Sequence, residues 1–276
     1  MQNTLVVGGD RRMALLAQLL EQDGWEIQTL GLRSGDEESA RPERADRLLF
    51  PYPFSTRNQA VPTLTGISLL PENVLSKAKE KVQILAGQGL DGVVAQMTSK
   101  RNVKHYAEAD GFLQRNAELS AEAAVFEAMQ KTGRALLDME TLVTGYGCFG
   151  RALALRLKAL GARVTVAARR EEVRRQVRLD GMEAIALGEM DACLSRCHLV
   201  LNTIPAQIMD EKCLASLSKE AWLLELASAP YGFERATANR LGIQYDILPA
   251  LPARYAPISA ALALKRACLT LVKEDA

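Results

Sequence analysis

The run Gly145-Tyr146-Gly147-Cys148-Phe149-Gly150 spaces three glycines as G-x-G-x-x-G. In that pattern the first glycine allows a sharp turn and the second lets the backbone approach a pyrophosphate. The third lets a helix pack closely on a strand. The chemistry is the cradling of a dinucleotide by N–H groups at a helix N-terminus, helped by the helix dipole. Roughly 20 residues further on stands Ala168-Arg169-Arg170, at the place where NAD sites usually carry Asp or Glu for the ribose hydroxyls. Guanidinium groups pair instead with a 2′-phosphate, so Arg169 and Arg170 predict NADP. The plainer alternative is two solvated arginines opening a helix, where cations oppose the dipole. Asn202-Thr203-Ile204-Pro205 closes another apolar run and is expected to line the cofactor between ribose and nicotinamide. A rival turn, Val7-Gly8-Gly9-Asp10, has no third glycine, and Asp10 would repel a pyrophosphate. It is expected to be a tight βα turn without a nucleotide.

These groups need a sheet to hold them. The second half alternates apolar runs at 141–144, 163–168, 199–202, 222–226 and 244–247 with helical patterns at 149–160 and 171–180. Strands separated by helices imply βαβ units and a parallel sheet covered on both faces. The first half repeats the style, with a strand at 5–7, a helix at 11–22 and a strand at 26–30. A charged loop is expected over 31–47, with later strands at 81–86 and 93–96 and a helix around His105. Between the halves, residues 120–130 are strongly helical in composition, with Ser120 as a cap and Thr132-Gly133 as a stop. The predicted class is α/β, with two doubly wound parallel-sheet domains, the second a Rossmann dinucleotide-binding domain. Its boundaries are 1–119 for an N-terminal substrate domain and 120–132 for a connecting helix. Residues 133–257 form the NADP domain, and 258–276 form a C-terminal helix packing back at the domain interface.

Composition sets the remaining bounds. A chain of 276 residues with 24% charged residues and a net charge of +1 has no global pull toward nucleic acid or a membrane. The start lacks a signal-peptide pattern, and no apolar run approaches the roughly 20 residues that span a bilayer. Five scattered cysteines are expected to be reduced thiols in a cytoplasm, and no metal site is expected.

Seven segments together resemble the dipicolinate synthase A-subunit family, and they occur in family order over most of the chain. They are Val7-Gly-Gly-Asp10-Arg11, Asn116-Ala-Glu-Leu-Ser120-Ala-Glu122-Ala, the glycine loop and Val166-Ala-Ala-Arg169. They continue with Asn202-Thr-Ile-Pro205, Leu224-Glu-Leu-Ala227-Ser228-Ala-Pro230 and Leu251-Pro-Ala-Arg254-Tyr-Ala256-Pro257. Departures fall at Ser120 and Ala123, where the family usually shows Thr and Gly, and at Glu225, where it usually shows Asp. They continue at Ala253, Ile258, Ser259 and Ala261, where a Gly-rich turn and a Lys are usual. The chain is identified as a divergent member, or as a relative with an altered substrate.

The resemblance implies a two-domain dehydrogenase architecture, a dihydrodipicolinate-type substrate and an NADP-dependent oxidation to dipicolinate during sporulation. It also implies a flavoprotein-like partner, the dipicolinate synthase B-subunit, and it adds Ala227 and Ser228 to the cofactor set. A homo-oligomer is expected as well. A dicarboxylate needs cationic or N–H donors. Arg11, at the first βα turn, is the first choice, ahead of Arg12, Lys100 and Arg101. Arg254, after the last strand, is expected to approach the nicotinamide end. Glu122 either handles a proton in the cleft or caps its helix, with Ser120 beside it. His105, His198 and Cys148 are expected to be structural. Two other functions fit the motifs: an NADP-dependent 2-hydroxyacid dehydrogenase, disfavoured by the lack of a His beyond His198, and a dinucleotide-binding regulatory protein without turnover.

Overall fold

A computed structural model of the chain describes residues 2–54, 60–87 and 102–273. It divides into two compact units, Met1–Asn116 with Pro252–Ala276, and Ala117–Leu251.

Among the described residues of the first unit five parallel strands run in the order β2-β1-β3-β4-β5. They are β1 (Asn3–Val7), β2 (Glu26–Leu30), β3 (Arg47–Leu49), β4 (Gln83–Ala86) and β5 (Asn102–His105). Leu5, Val6, Val7, Leu48, Leu49, Ile84 and Leu85 are fully buried, as strands covered on both faces require. Helix α1 (Arg11–Gln22) turns Met13, Leu16, Ala17 and Leu20 into this core. Asp10 caps it, accepting the Arg12 N–H at 2.9 Å, and its carboxylate also forks with the Arg12 guanidinium at 2.7 Å. The Gly8-Gly9 turn carries no open cradle. Gly9 donates its N–H to Pro62 O, and a Cβ on Gly8 would stand 2.5 Å from Val61 Cγ1.

Two expectations fail here, and a third element is placed. The stretch 31–47 is not all loop, because Arg47 opens β3. Asn102–His105 is a strand rather than a helix, since its four residues extend the β4 ladder from Gln83↔Asn102 to Ala86↔His105. The C-terminal helix joins this unit: α6 (Pro257–Lys273) buries Ala263, Leu264, Ala267, Cys268 and Leu271 in the same cluster as the apolar face of α1. The strand expected at 93–96, and Lys100 and Arg101, lie outside the described residues.

Helix α2 (Phe112–Thr132) is 21 residues long. Ser120 therefore lies in its interior, buried, and cannot cap its start. The helix-forming composition continues N-terminally through Leu119 to Phe112, so the start moves back two turns. The end is as expected, with Gly133 in the left-handed region at φ 61°. The division between the units falls inside this helix, at Asn116/Ala117, rather than at a separate connecting segment.

In the second unit six parallel strands run β11-β10-β9-β6-β7-β8. They are β6 (Glu140–Thr144), β7 (Arg163–Ala168), β8 (Glu183–Ala186), β9 (Leu199–Asn202), β10 (Trp222–Glu225) and β11 (Gln244–Ile247). Counted within the unit this is the 3-2-1-4-5-6 order of a dinucleotide-binding fold. The strand β8 was not foreseen; it is a short edge strand with no fully buried residue, so its apolar pattern is weak. Helices α3 (Cys148–Ala159) and α4 (Glu171–Leu179) follow β6 and β7. A last short helix, α5 (Leu251–Tyr255), leads into α6.

Candidate dinucleotide site

The order of the second sheet reverses between β6 and β9, and the loops beyond the carboxyl ends of these strands form the usual ligand crevice. The glycine loop lies there. Gly145 takes φ 86°, donates its N–H to Ala167 O at 2.9 Å, and leaves no room for a Cβ, which would meet Thr203 Oγ1 at 2.8 Å. A Cβ on Gly150 would stand 2.4 Å from Gly145 O, so helix α3 can approach β6 only with glycine there. Gly147 differs from both. It is exposed, and a Cβ on it would meet nothing within 4 Å. Its space is the open one a pyrophosphate needs, and it caps α3 without a side chain over the first-turn N–H groups.

A cavity of about 380 Å³ opens beside this loop, lined by Gly145, Tyr146, Gly147, Ala168, Arg169, Arg170, Val173 and Ile204. Among the described residues its lining holds two exposed arginines and no carboxylate. The chain around them is pinned from behind. Arg174 donates to Ala168 O at 2.9 Å and Arg169 O at 2.6 Å, while its charge is met by Glu171. Tyr146 donates its hydroxyl to Asp180 Oδ2 at 2.6 Å, which ties the glycine loop to the end of α4. Burial and that carboxylate push the Tyr146 phenol well above its ordinary range, so it remains a donor.

The second loop is anchored as firmly. Thr203 Oγ1 donates to Thr144 O at 2.6 Å, and the Ile204 N–H donates to Asn202 Oδ1 at 3.1 Å. Asn202 is fully buried, Thr203 and Ile204 are half-buried, and Pro205 is exposed. Ala227 and Ser228 follow β10, with Ala227 donating its N–H to Glu225 Oε1 at 2.9 Å. Cys148 and Phe149 begin α3. The Cys148 thiol is held above its ordinary pKa by burial and by Glu118, which disfavours a thiolate nucleophile.

The residues expected to meet substrate are placed as follows. Arg11 is exposed at the first position of α1, whereas its neighbour Arg12 is buried and spent on Asp10. Arg254 is exposed on α5 with its guanidinium 5.3 Å from the Tyr255 ring. It belongs to the first unit, not to the 133–257 domain in which the sequence placed it, because the chain leaves the second unit at Leu251 and then runs into α6. Glu122 lies in mid-helix, so it does not cap the start of α2; it is exposed and 3.6 Å from Arg156. His198 accepts the Glu140 N–H at 3.1 Å through Nδ1, a structural role. Sequence reasoning missed Tyr146–Asp180 and Asn202–Glu225, because folding alone joins the glycine loop to the end of α4 and the end of β9 to the end of β10. The Asp at the start of α1 does carry a cap signature.

Comparison with known proteins agrees with this architecture. Residues 3–107 match the family described as the dipicolinate synthase A-subunit N-terminal domain. Residues 103–241, half of the chain, match the D-isomer specific 2-hydroxyacid dehydrogenase, NAD binding domain. The chain is 25% identical to the dipicolinate synthase A-subunit of Bacillus subtilis (strain 168), over 98% of this chain and 95% of that protein. Crystal structures of the dipicolinate synthase A-subunit superpose with TM-scores of 0.88 for Bacillus halodurans and 0.84 for Bacillus subtilis, each at 24% identity. They cover 98% and 99% of this chain, and 97% and 96% of those chains. The resemblance read from the motifs therefore holds along the chain. Among the described residues no helix is long and apolar enough to cross a membrane. The chain belongs to the D-isomer specific 2-hydroxyacid dehydrogenase NAD-binding family, with a dipicolinate synthase A-type N-terminal domain, a dehydrogenase-like role and a nicotinamide dinucleotide as cofactor.

Proposed function

We propose that the protein is an NADP-dependent dehydrogenase that oxidises a dihydrodipicolinate-type dicarboxylate to dipicolinate, as the A-subunit of a dipicolinate synthase. The carrying observation is the cavity beside the glycine loop, whose described lining holds two exposed guanidinium groups and no acidic residue. That lining suits a 2′-phosphate and not a carboxylate-bound ribose. The substrate class rests on the similarity to the dipicolinate synthase A-subunit. A nicotinamide supplies the hydride acceptor, and aromatisation of the ring supplies the driving force. Placement then matters more than a strong base.

In this reading the backbone around Gly147 and the start of α3 hold the pyrophosphate, and Arg169 and Arg170 hold the 2′-phosphate. Asn202 to Pro205, with Ala227 and Ser228, support the nicotinamide half. Arg11 and Arg254 bind the substrate carboxylates as charge-assisted donors, and Glu122, exposed on α2, orients the ring. A flavoprotein-like B-subunit is the partner, and the setting is the cytoplasm of a sporulating cell.

The test is NADP-dependent dipicolinate formation, with the B-subunit present and dihydrodipicolinate generated in situ. Arg11→Ala and Arg254→Ala should each raise the apparent KM by about tenfold, the scale of one lost charge-assisted hydrogen bond, and leave NADP affinity unchanged. Full activity in both variants removes these residues from the site. No dipicolinate from the parent protein overturns the substrate assignment.

A further inference from the structure

One buried acid has no part in the reading above. Glu225 ends β10, in register with Asn202 on β9 and Ile247 on β11, at the carboxyl edge of the second sheet. Its side chain is fully buried. Asn202 Nδ2 donates to both of its oxygens at 2.8 Å, Ala227 N to Oε1 at 2.9 Å and Gly232 N to Oε2 at 2.8 Å. Asn202 passes the contact on: its Nδ2 also donates to Ile204 O at 3.0 Å, and its Oδ1 accepts from Thr144 Oγ1 at 2.5 Å. Gly232 makes this approach possible, since a Cβ there would stand 2.4 Å from Asn202 Nδ2.

Among the described residues every group hydrogen-bonded to the carboxylate is an N–H donor. A carboxyl proton would find no acceptor, so the network is built for the ionised form. Among the described residues no cation is ion-paired with it. Burial, the largest influence, raises its affinity for a proton above the ordinary value, and the donors at Gly232, Asn202 and Ala227 offset part of that rise. A dry, unpaired negative charge is costly, and a positive charge arriving nearby would relieve that cost.

The sheet places such a charge. A dinucleotide lies across the reversal between β6 and β9, and Arg169 at the end of β7 marks the adenosine side. The nicotinamide half then falls on the β9–β10 side, over the loops that Glu225 holds. An oxidised nicotinamide ring is cationic and a reduced one is neutral. We propose that Glu225 is a redox-state selector, a fixed buried negative charge that makes the site hold the oxidised cofactor in preference to the reduced one. This rests on the dinucleotide reading. The same charge would favour release of the reduced cofactor after substrate oxidation.

The experiment measures the dissociation constants of NADP+ and NADPH, with NAD+ and NADH in parallel, so an error over the 2′-phosphate does not obscure the result. In Glu225→Gln the preference for the oxidised form should fall by about tenfold, the scale on which one unit charge acts on another through a protein interior. Glu225→Asp should keep the preference even where both affinities drop. Gly232→Ala, which disturbs Asn202 but leaves the charge, should weaken both forms equally. If Glu225→Gln does not fold, Glu225→Asn supplies the same neutral amide. An unchanged ratio in the neutral variant overturns the selector and leaves the dinucleotide site standing. Failure of the parent protein to bind any of the four nucleotides overturns both.

Discussion

Gly147→Val should raise the dissociation constant for the dinucleotide by about a hundredfold or more while leaving the fold intact. The separation of the two effects follows from geometry. Gly147 has φ −73°, a conformation any residue adopts, and a Cβ there touches no protein atom within 4 Å. The only cost to the free protein is a poorer helix cap, about 1 kcal/mol, or a fall in Tm of about 2–4 °C. The added methyls instead fill the open space where a pyrophosphate would meet the α3 N–H groups. Gly150→Ala is the contrasting variant. Its Cβ would lie 2.4 Å from Gly145 O, inside the fold, so Tm should drop well beyond that of Gly147→Val. Calorimetric titration and thermal melts of the two variants check both statements. Undiminished NADP affinity in a folded Gly147→Val protein would remove the glycine loop from the binding site.

Arg169→Asp should reverse the cofactor preference. The parent protein is expected to bind NADP at least about tenfold more tightly than NAD, because each charge-assisted hydrogen bond to a 2′-phosphate contributes about 1.5–3 kcal/mol. The Arg169 backbone carbonyl is fixed by Arg174, so the substitution changes the side chain without freeing the turn. An aspartate there would repel the phosphate and accept hydrogen bonds from the ribose hydroxyls, lowering NADP affinity by about a hundredfold and improving NAD. Arg170→Ala should show a smaller loss of NADP affinity and no gain for NAD. Equal or tighter NAD binding by the parent protein would show that the two arginines are solvated surface residues.

The glycine loop, the strand at 163–168 and the arginines that follow it were legible from the chain because each is a local feature. A turn that needs glycine, a run of β-branched residues and a change of period from two to 3.6 are written within a few residues of one another. The strand–helix–strand pattern over 5–30 carried the architecture further, to a second α/β domain of the same style. What the sequence misplaced had its cause elsewhere. His105 sits in a strand because β4 offers an edge to pair with, and Ser120 is buried in mid-helix because α2 begins at Phe112. Arg254 belongs to the first unit because α6 packs on α1, a contact between the two ends of the chain.

By itself the sequence determined the α/β class and the position of the glycine loop, with two arginines standing after the next strand. Only the tertiary structure decided which glycines are filled in by their own protein and which is left open for a ligand. Gly8 faces Val61 and Gly150 faces Gly145, while Gly147 faces nothing. It alone likewise joined Thr144, Asn202, Glu225 and Gly232 into one buried network spanning three loops. The physical reason is the range of the interactions. Backbone conformation and hydrophobic period are set by neighbours in sequence. Free space, burial and the partners of a buried charge are set by atoms that folding brings from dozens of residues away.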